Sequence, residues 1–384
     1  MSDRQKPFDP DDTAPWDAFV AAANPGSYLQ LSPWARVKAV NGWSAVRLLA
    51  GGAGGSVGGQ VLERRPRPLP WAFAYAPRGP VAQDWSADGA EDQVAAFAEA
   101  CRTTLRGRAG RISHVRIDPE IEEGGPQDTD GSMRRALRVG GFRPAPPIQP
   151  NATRIIDLAA DEEALWGDLR KKWRQYVNKA RSAGVTVVDA DGSRLPEFYR
   201  IYQETAARAG FLIRAQSAYR DVWDAFGPGG HARLLFAELP DGTPVATLFL
   251  VRAGARVVEP YGGMTEAGAD SRANYLLKWE AIRSSRQQGA TTYDLWGLAH
   301  AGIAHFKTGF GGREIGYVGA YDLVLDPLGR RTYSVAQSAR VRVARLRHGL
   351  RGGGSASGYA GDASDGADGA RPTAPGTGGD GGDG

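Results

Sequence analysis

The chain has 384 residues and a formal net charge of +4, a length that suits two ordinary domains. The charge is uneven: the last 34 residues hold two arginines against five aspartates and the first 13 hold two cations against four aspartates, leaving 14–350 near +9. One cysteine excludes an internal disulfide, a thiolate metal site or an iron–sulfur cluster, and no apolar run approaches a membrane span.

The N-terminus, MSDRQKPFDPDDTAP, lacks the apolar core of a secretory signal, so a cytoplasmic protein is expected. Residues 1–13 read as a loose arm. Residues 351–384 contain 13 glycines and almost nothing to bury, and read as a disordered tail. A first series of elements runs from helices near Trp16–Ala23 and Pro33–Val40 to strands at Trp43–Leu49, Ser56–Arg64 and Leu69–Ala76. It continues with a long helix at Glu91–Arg106, a strand at Arg111–Ile117, a short helix at Met133–Val139 and a strand near Ala152–Leu158.

The second series opens with one helix over Asp161–Ala183, with Asp161 as its N-cap and Gly184 as its stop. Helices at Leu195–Ala209 and Ala218–Phe226 lead to strands at His231–Leu239 and Pro244–Val251, joined through Asp241-Gly242, and to a third at Arg256–Tyr261. A helix at Asn274–Gln288, a strand at Thr291–Trp296, a short helix near Ile303–Lys307, a strand at Ile315–Leu323 and a helix over Ser334–Leu350 complete it. Both series therefore read as helices, a three-strand meander, a long helix, a strand, a short helix and a strand. That order suits an α/β fold with mixed sheets, built as a tandem pair of domains like the acetyl-CoA-dependent N-acetyltransferases.

Several patterns that advertise chemistry fail on inspection. GGAGGSVGG has no Gly-Lys-Ser/Thr end and misses the dinucleotide register, so a hairpin loop is expected there. His300 and His305 are five apart, which misses a helical metal pair. No GxSxG elbow is present, and Cys101 falls inside an amphipathic helix, where a structural thiol is expected. No catalytic metal or covalent nucleophile is indicated.

Cations carry more. Forty of the 47 basic residues are Arg, so each of the seven lysines, at 6, 38, 171, 172, 179, 278 and 307, hints that an ammonium is wanted. Arg170, Lys171, Lys172, Arg174, Lys179 and Arg181 flank the stripe Leu165, Leu169, Trp173, Tyr176 and Ala180. This face is either a solvated helix surface or a seat for a polyanion such as RNA. The C-terminal helix has a second arginine-flanked stripe, Val335, Ala339, Val343, Leu346 and Leu350, suited to docking, RNA or a membrane surface.

Seven segments, taken together and in order over about 14–350, resemble the FemABX family of aminoacyltransferases that build peptidoglycan interpeptide bridges. They are WDAFV…GSYLQLSPWARVKAVNGW, YAPRGPV, LWGDLRKKWRQYVNKARSAGV, FLIRAQSAY, YGGM, NYLLKWEAI, and YDLWG followed by FKTGFGG and YVGAYDLVLDP. The resemblance implies two acyltransferase-like domains, over 14–159 and 160–319, with 320–350 returning to complete the first. It implies transfer of an amino acid, glycine by common family use, from aminoacyl-tRNA to the stem-peptide amine of a UDP- or lipid-linked precursor, with peripheral contact with the inner face of the cytoplasmic membrane. By motif, Lys38 and Arg214 match residues that hold the precursor's diphosphate, and Tyr219 and Tyr261 match tyrosines of the same cleft. Lys307, after Phe306, matches the lysine at the aminoacyl end of the tRNA, and Lys171, Lys172, Arg174 and Lys179 become candidates for tRNA contact.

Two departures from the family stand out. The helical arm that some members insert is missing, since Phe226 is followed by a short Gly/Pro turn before His231, and the stretch from Gly297 to Phe306 is short. An ester is already activated, so its aminolysis needs alignment, a proton route and a positive group near the oxyanion rather than a cofactor. Two other readings remain. One is an acyl-CoA-dependent N-acyltransferase, although TEAGADSRAN before Asn274 lacks the pyrophosphate turn. The other is a non-catalytic module that binds RNA or a membrane surface.

Overall fold

The computed structural model describes residues 12–52, 55–66, 69–85, 89–106, 108, 111–298 and 301–349. The tail, most of the N-terminal arm and His300 lie outside these. Strands β1 (Ser44–Gly52), β2 (Gly55–Arg64), β3 (Trp71–Ala76), β4 (Val81–Ala82), β5 (Arg111–Ile117) and β6 (Phe142–Ala145) belong to the first half. Strands β7 (Ala152–Asp157), β8 (Thr186–Ala190), β9 (Ala232–Glu238), β10 (Pro244–Ala253), β11 (Arg256–Met264), β12 (Thr292–Asp294), β13 (Arg313–Gly316) and β14 (Ala320–Val324) follow.

Two mixed sheets result. The first has the order β1-β2-β3-β5-β14-β6 with β4 on β2, and the second β13-β7-β12-β11-β10-β9-β8. β1 and β2 pair antiparallel from Ser44–Glu63 to Gly52–Gly55, and the rest of the loop expected at GGAGG, residues 53–54, lies outside the described residues. The ends of the two series are exchanged. The strand expected to close the first, β7, lies between β12 and β13 of the second sheet, while β14 enters the first between β5 and β6. Strand periodicity specifies which face is buried but not which edge receives the strand. Here Ile156 enters the apolar core of the second half, and the buried Thr153 hydroxyl bonds Asp294 of β12.

The helix expected over Asp161–Ala183 is two helices, Glu162–Asp168 and Lys171–Ser182, with Leu169 and Arg170 extended at ψ 137° and 140°. Arg174 ends the first of them. Its guanidinium donates to the carbonyls of Trp166 (3.3 Å), Gly167 (2.6 Å) and Leu169 (2.8 Å), groups that a helix terminus leaves without partners. Past Phe226 only residues 227–231 precede β9, so no arm is inserted. The last helix begins at Pro327 rather than Ser334, because the Asp326 carboxylate accepts the Gly329 N–H at 3.0 Å and proline suits the first helical position. Tyr333 stacks on Phe73 of β3 at 4.9 Å and Arg330 pairs with Asp322 of β14, so this helix docks on the first sheet.

Among the described residues three apolar clusters form. One lies under each sheet, and the third joins the halves. In the third, Trp16, Tyr28, Trp34 and Phe73 of the first half meet Phe198, Tyr219, Phe226 and Phe249 of the second. Tyr28 lies edge-on to Phe226 at 6.0 Å. Buried ions also cross the junction: Arg256 of β11 pairs with Glu120 (2.9 Å) and with Asp294 of β12, and Glu120 pairs with Arg78 (3.3 Å). Each charge there is compensated by another, the condition under which a buried charge is tolerable.

Candidate functional site

β11 pairs with β12 only across Arg256–Val258, then runs on to Met264 while the chain after β12 turns away. A cavity of about 410 Å³ opens along this divergence. Its lining includes Arg208, Arg272, Lys278 and Lys307 against a single carboxylate, Glu259, together with apolar surface from Phe211, Tyr275 and Phe306. A second cavity, of about 70 Å³, lies at the junction of the halves and is lined by Tyr28, Trp34, Arg214, Tyr219, Tyr261 and Trp296 among others. Tyr202 and Pro260 line both.

Lys307 lies on the helix Ala301–Thr308 and is only 7% exposed. Its Nζ donates to the carbonyls of Gly297 (2.7 Å) and Trp296 (3.2 Å), which uses two of three ammonium protons. Burial, reinforced by Lys278 and opposed by Glu259 and Asp294, lowers its pKa to about 8. Phe306, the preceding residue, packs on Tyr275 at 5.2 Å and accepts from Trp173 Nε1 through its carbonyl at 3.0 Å.

Arg214, Tyr219 and Tyr261 come together in the small cavity. Arg214 precedes the helix Gln216–Phe226, and its backbone N–H donates to the Tyr219 hydroxyl at 3.2 Å. Tyr219 and Tyr261 meet edge to face at 5.1 Å. Burial raises both phenol pKa values while the Arg214 charge lowers them, so both hydroxyls are neutral donors near pH 7. Lys38 does not line this cavity directly. It is 2% exposed, with Nζ 5.0 Å from the ring centre of Trp34, which does.

The four cations proposed for tRNA contact separate into two kinds. Lys171, Lys172 and Lys179 are exposed, with Lys172 Nζ 5.6 Å from the Tyr176 ring. Arg174 is half-buried and spends its guanidinium on the helix end described above. A planar donor fork is well suited to that task, and on that ground Arg174 is a structural cation.

Sequence reasoning passed over three neighbours of Lys307. Lys278 and Glu259 form a buried ion pair in the large cavity, and the Tyr293 hydroxyl donates to the other Glu259 oxygen at 2.9 Å. Asp294, fully buried, accepts the Trp296 N–H at 2.7 Å. A signal for Lys278 was present: it interrupts the otherwise apolar run Leu276, Leu277, Trp279 in a chain whose default cation is Arg. No signal marked Glu259, because its partners come from a helix and a strand distant in sequence. Among the described residues no group of His, Cys, Asp and Glu has a metal-binding arrangement, and no helix is long and apolar enough to cross a membrane.

The acetyltransferase (GNAT) domain family matches residues 167–308. Across most of its length the chain is similar to the lipid II:glycine glycyltransferase of Staphylococcus aureus (strain USA300), at 24% identity covering 86% of this chain and 95% of that protein. The fold is similar to the crystal structure of FemX, with a TM-score of 0.74 at 22% identity, covering 84% of this chain and 98% of the other. A conserved protein of unknown function from Bacteroides thetaiotaomicron superimposes with a TM-score of 0.54 at 11% identity, covering 81% and 95%. The mixed α/β architecture of tandem acetyltransferase-like units is that of these relatives.

Proposed function

We propose that the chain acts as a member of the FemABX family, on its similarity to the staphylococcal glycyltransferase and to FemX, and that it moves glycine from glycyl-tRNA to the stem-peptide amine of a peptidoglycan precursor. The observation that carries this reading is the pair of cavities sharing a wall at Tyr202 and Pro260. A transferase with two large substrates needs two sites that meet at the reacting atoms. The large cavity, with four cations against one carboxylate, suits the phosphate-bearing 3′ end of an aminoacyl-tRNA. The small one, with Arg214 and two phenol donors beside Lys38, suits the precursor's diphosphate. The name of the staphylococcal relative supports glycine as the transferred residue and lipid II as the acceptor.

In this reading the acceptor amine attacks the ester carbonyl, an amide C–N bond forms, and the ester C–O bond breaks. The amine's proton ends on the ribose oxygen that leaves. Lys307, with one N–H beyond the two held by carbonyls, stabilises the oxyanion. Phe306 and Tyr275 wall the site against water. The ester carries its own activation, so neither metal nor cofactor enters. Lys171, Lys172 and Lys179 give the tRNA body an exposed cationic face. A lipid-linked acceptor places the protein in the cytoplasm, at the inner face of the membrane.

Incubation with glycyl-tRNA and either UDP-linked or lipid-linked precursor tests the whole reading, with transfer expected and Lys307→Ala lowering it by about 100-fold or more. Transfer from acetyl-CoA in place of glycyl-tRNA, or tRNA binding without consumption of the ester, refutes it.

A further inference from the structure

Trp296 touches both cavities in different ways. Its indole lines the small one, while its carbonyl holds the Lys307 ammonium that lines the large one. Its backbone has φ +60°, the left-handed region that bulky side chains avoid. Surrounding groups hold it there. Asp294 Oδ1 accepts the Trp296 N–H, and Asp294 is itself held by Thr153 and by Arg256. On the side-chain end, Arg78 lies 5.2 Å from the indole and the Tyr28 ring 6.0 Å away. With its N–H pinned and its ring forming a cavity wall, this turn has one end in each site.

We propose that Trp296 is a positioning residue that couples occupancy of the small cavity to the placement of the Lys307 ammonium. The inference rests on the reading of the small cavity as the acceptor site and of Lys307 as a donor-site residue. An acceptor pressed against the indole shifts the turn, and the peptide carbonyls of Trp296 and Gly297 move with it. Lys307 is bonded to both carbonyls, so it follows. The ionisable groups that set its environment are Glu259 of β11, Lys278 of the helix Ala273–Gln287 and Asp294 of β12, and none of these lines the small cavity. Acceptor binding therefore reaches Lys307 through the turn rather than through direct charge. Such coupling readies the oxyanion donor only when an amine is present to attack, which limits wasteful hydrolysis of the ester.

The seven lysines make this measurable in the full-length protein, since carbon-13 labelling at lysine Cε yields few resonances and Lys307→Arg assigns the one in question. The probe is UDP-linked muramyl pentapeptide, with binding followed by calorimetry on the same samples. In the wild type, binding is expected to move the Lys307 resonance and its titration midpoint. Trp296→Gly, which accepts the left-handed backbone but lacks the ring, is expected to lose that response and to lower kcat with KM for aminoacyl-tRNA unchanged. Trp296→Phe is expected to restore both. If the glycine variant does not fold or bind, Trp296→Asn, which also tolerates this backbone, replaces it with the same expected loss. An undiminished Lys307 response in the ring-less variant, or a wild type that binds the probe while Lys307 stays still, overturns the coupling and leaves the proposed function standing. A wild type that binds neither this probe nor the lipid-linked precursor in detergent sinks the acceptor-site reading and the coupling with it.

Discussion

Lys307 is held at a cost, and that cost can be measured. Its pKa is lowered from 10.5 to about 8 mainly by burial. At 1.36 kcal/mol for each unit, keeping this ammonium inside opposes folding by about 3 kcal/mol. Below pH 8 the lysine is charged in both folded and unfolded chains, so the penalty is present in full. As the pH rises from 8 to 10.5 the folded chain gives up its proton more readily than the unfolded one, and the penalty fades. Replacing Lys307 with Met removes it, and it also strands the carbonyls of Trp296 and Gly297, at about 1 kcal/mol each. Lys307→Met is therefore expected to be more stable than wild type by about 1 kcal/mol at pH 7 and less stable by about 1 kcal/mol at pH 10, where the penalty has faded and the stranded carbonyls remain, while transfer is lost. Urea unfolding of both proteins at pH 7 and pH 10 reads the difference. A variant about 2 kcal/mol less stable than wild type at pH 7 would refute the reasoning, because Lys307 would then be a structural support.

Arg174→Ala is expected to destabilise by about 1–3 kcal/mol through three stranded carbonyls, without changing the salt dependence of tRNA binding. The triple change Lys171→Ala, Lys172→Ala and Lys179→Ala is expected to do the opposite, flattening the slope of log K against log salt at unchanged stability. Calorimetric melting and filter binding of both proteins separate the two roles. Glu120→Ala leaves Arg78 and Arg256 short of a buried counter-charge and is expected to cost about 3–5 kcal/mol in urea unfolding. Gly309→Ala places a Cβ 2.2 Å from Trp173 Cε2, and an overpacking loss of about 1–3 kcal/mol is expected in the same assay.

Much of this molecule was legible along the chain. Most of the helices and strands, the short turn after Phe226 and the N-cap at Asp161 rest on local rules that concern residues a few positions apart, whereas β6 and β8 were not read and the strand expected over Ile315–Leu323 is two, β13 and β14, in different sheets. The residues picked by motif are brought together to the extent that Arg214, Tyr219 and Tyr261 share one cavity and Phe306 and Lys307 another. Arg174 is the instructive miss. By composition it is indistinguishable from its exposed neighbours, and only the break at Leu169–Arg170 shows what its guanidinium does.

By itself the sequence determined the kinds of element, their order and the uneven placement of ammonium and guanidinium groups, because these depend on side-chain periodicity and chemical type. Tertiary structure alone decided the move of β7 into the second sheet, the pairing of Lys278 with Glu259, and the left-handed turn through which Trp296 holds Lys307. Strand edges, buried ion pairs and a strained backbone are each set by groups distant in sequence. Their free energy depends on the distance and burial that folding creates, and no local pattern encodes either quantity.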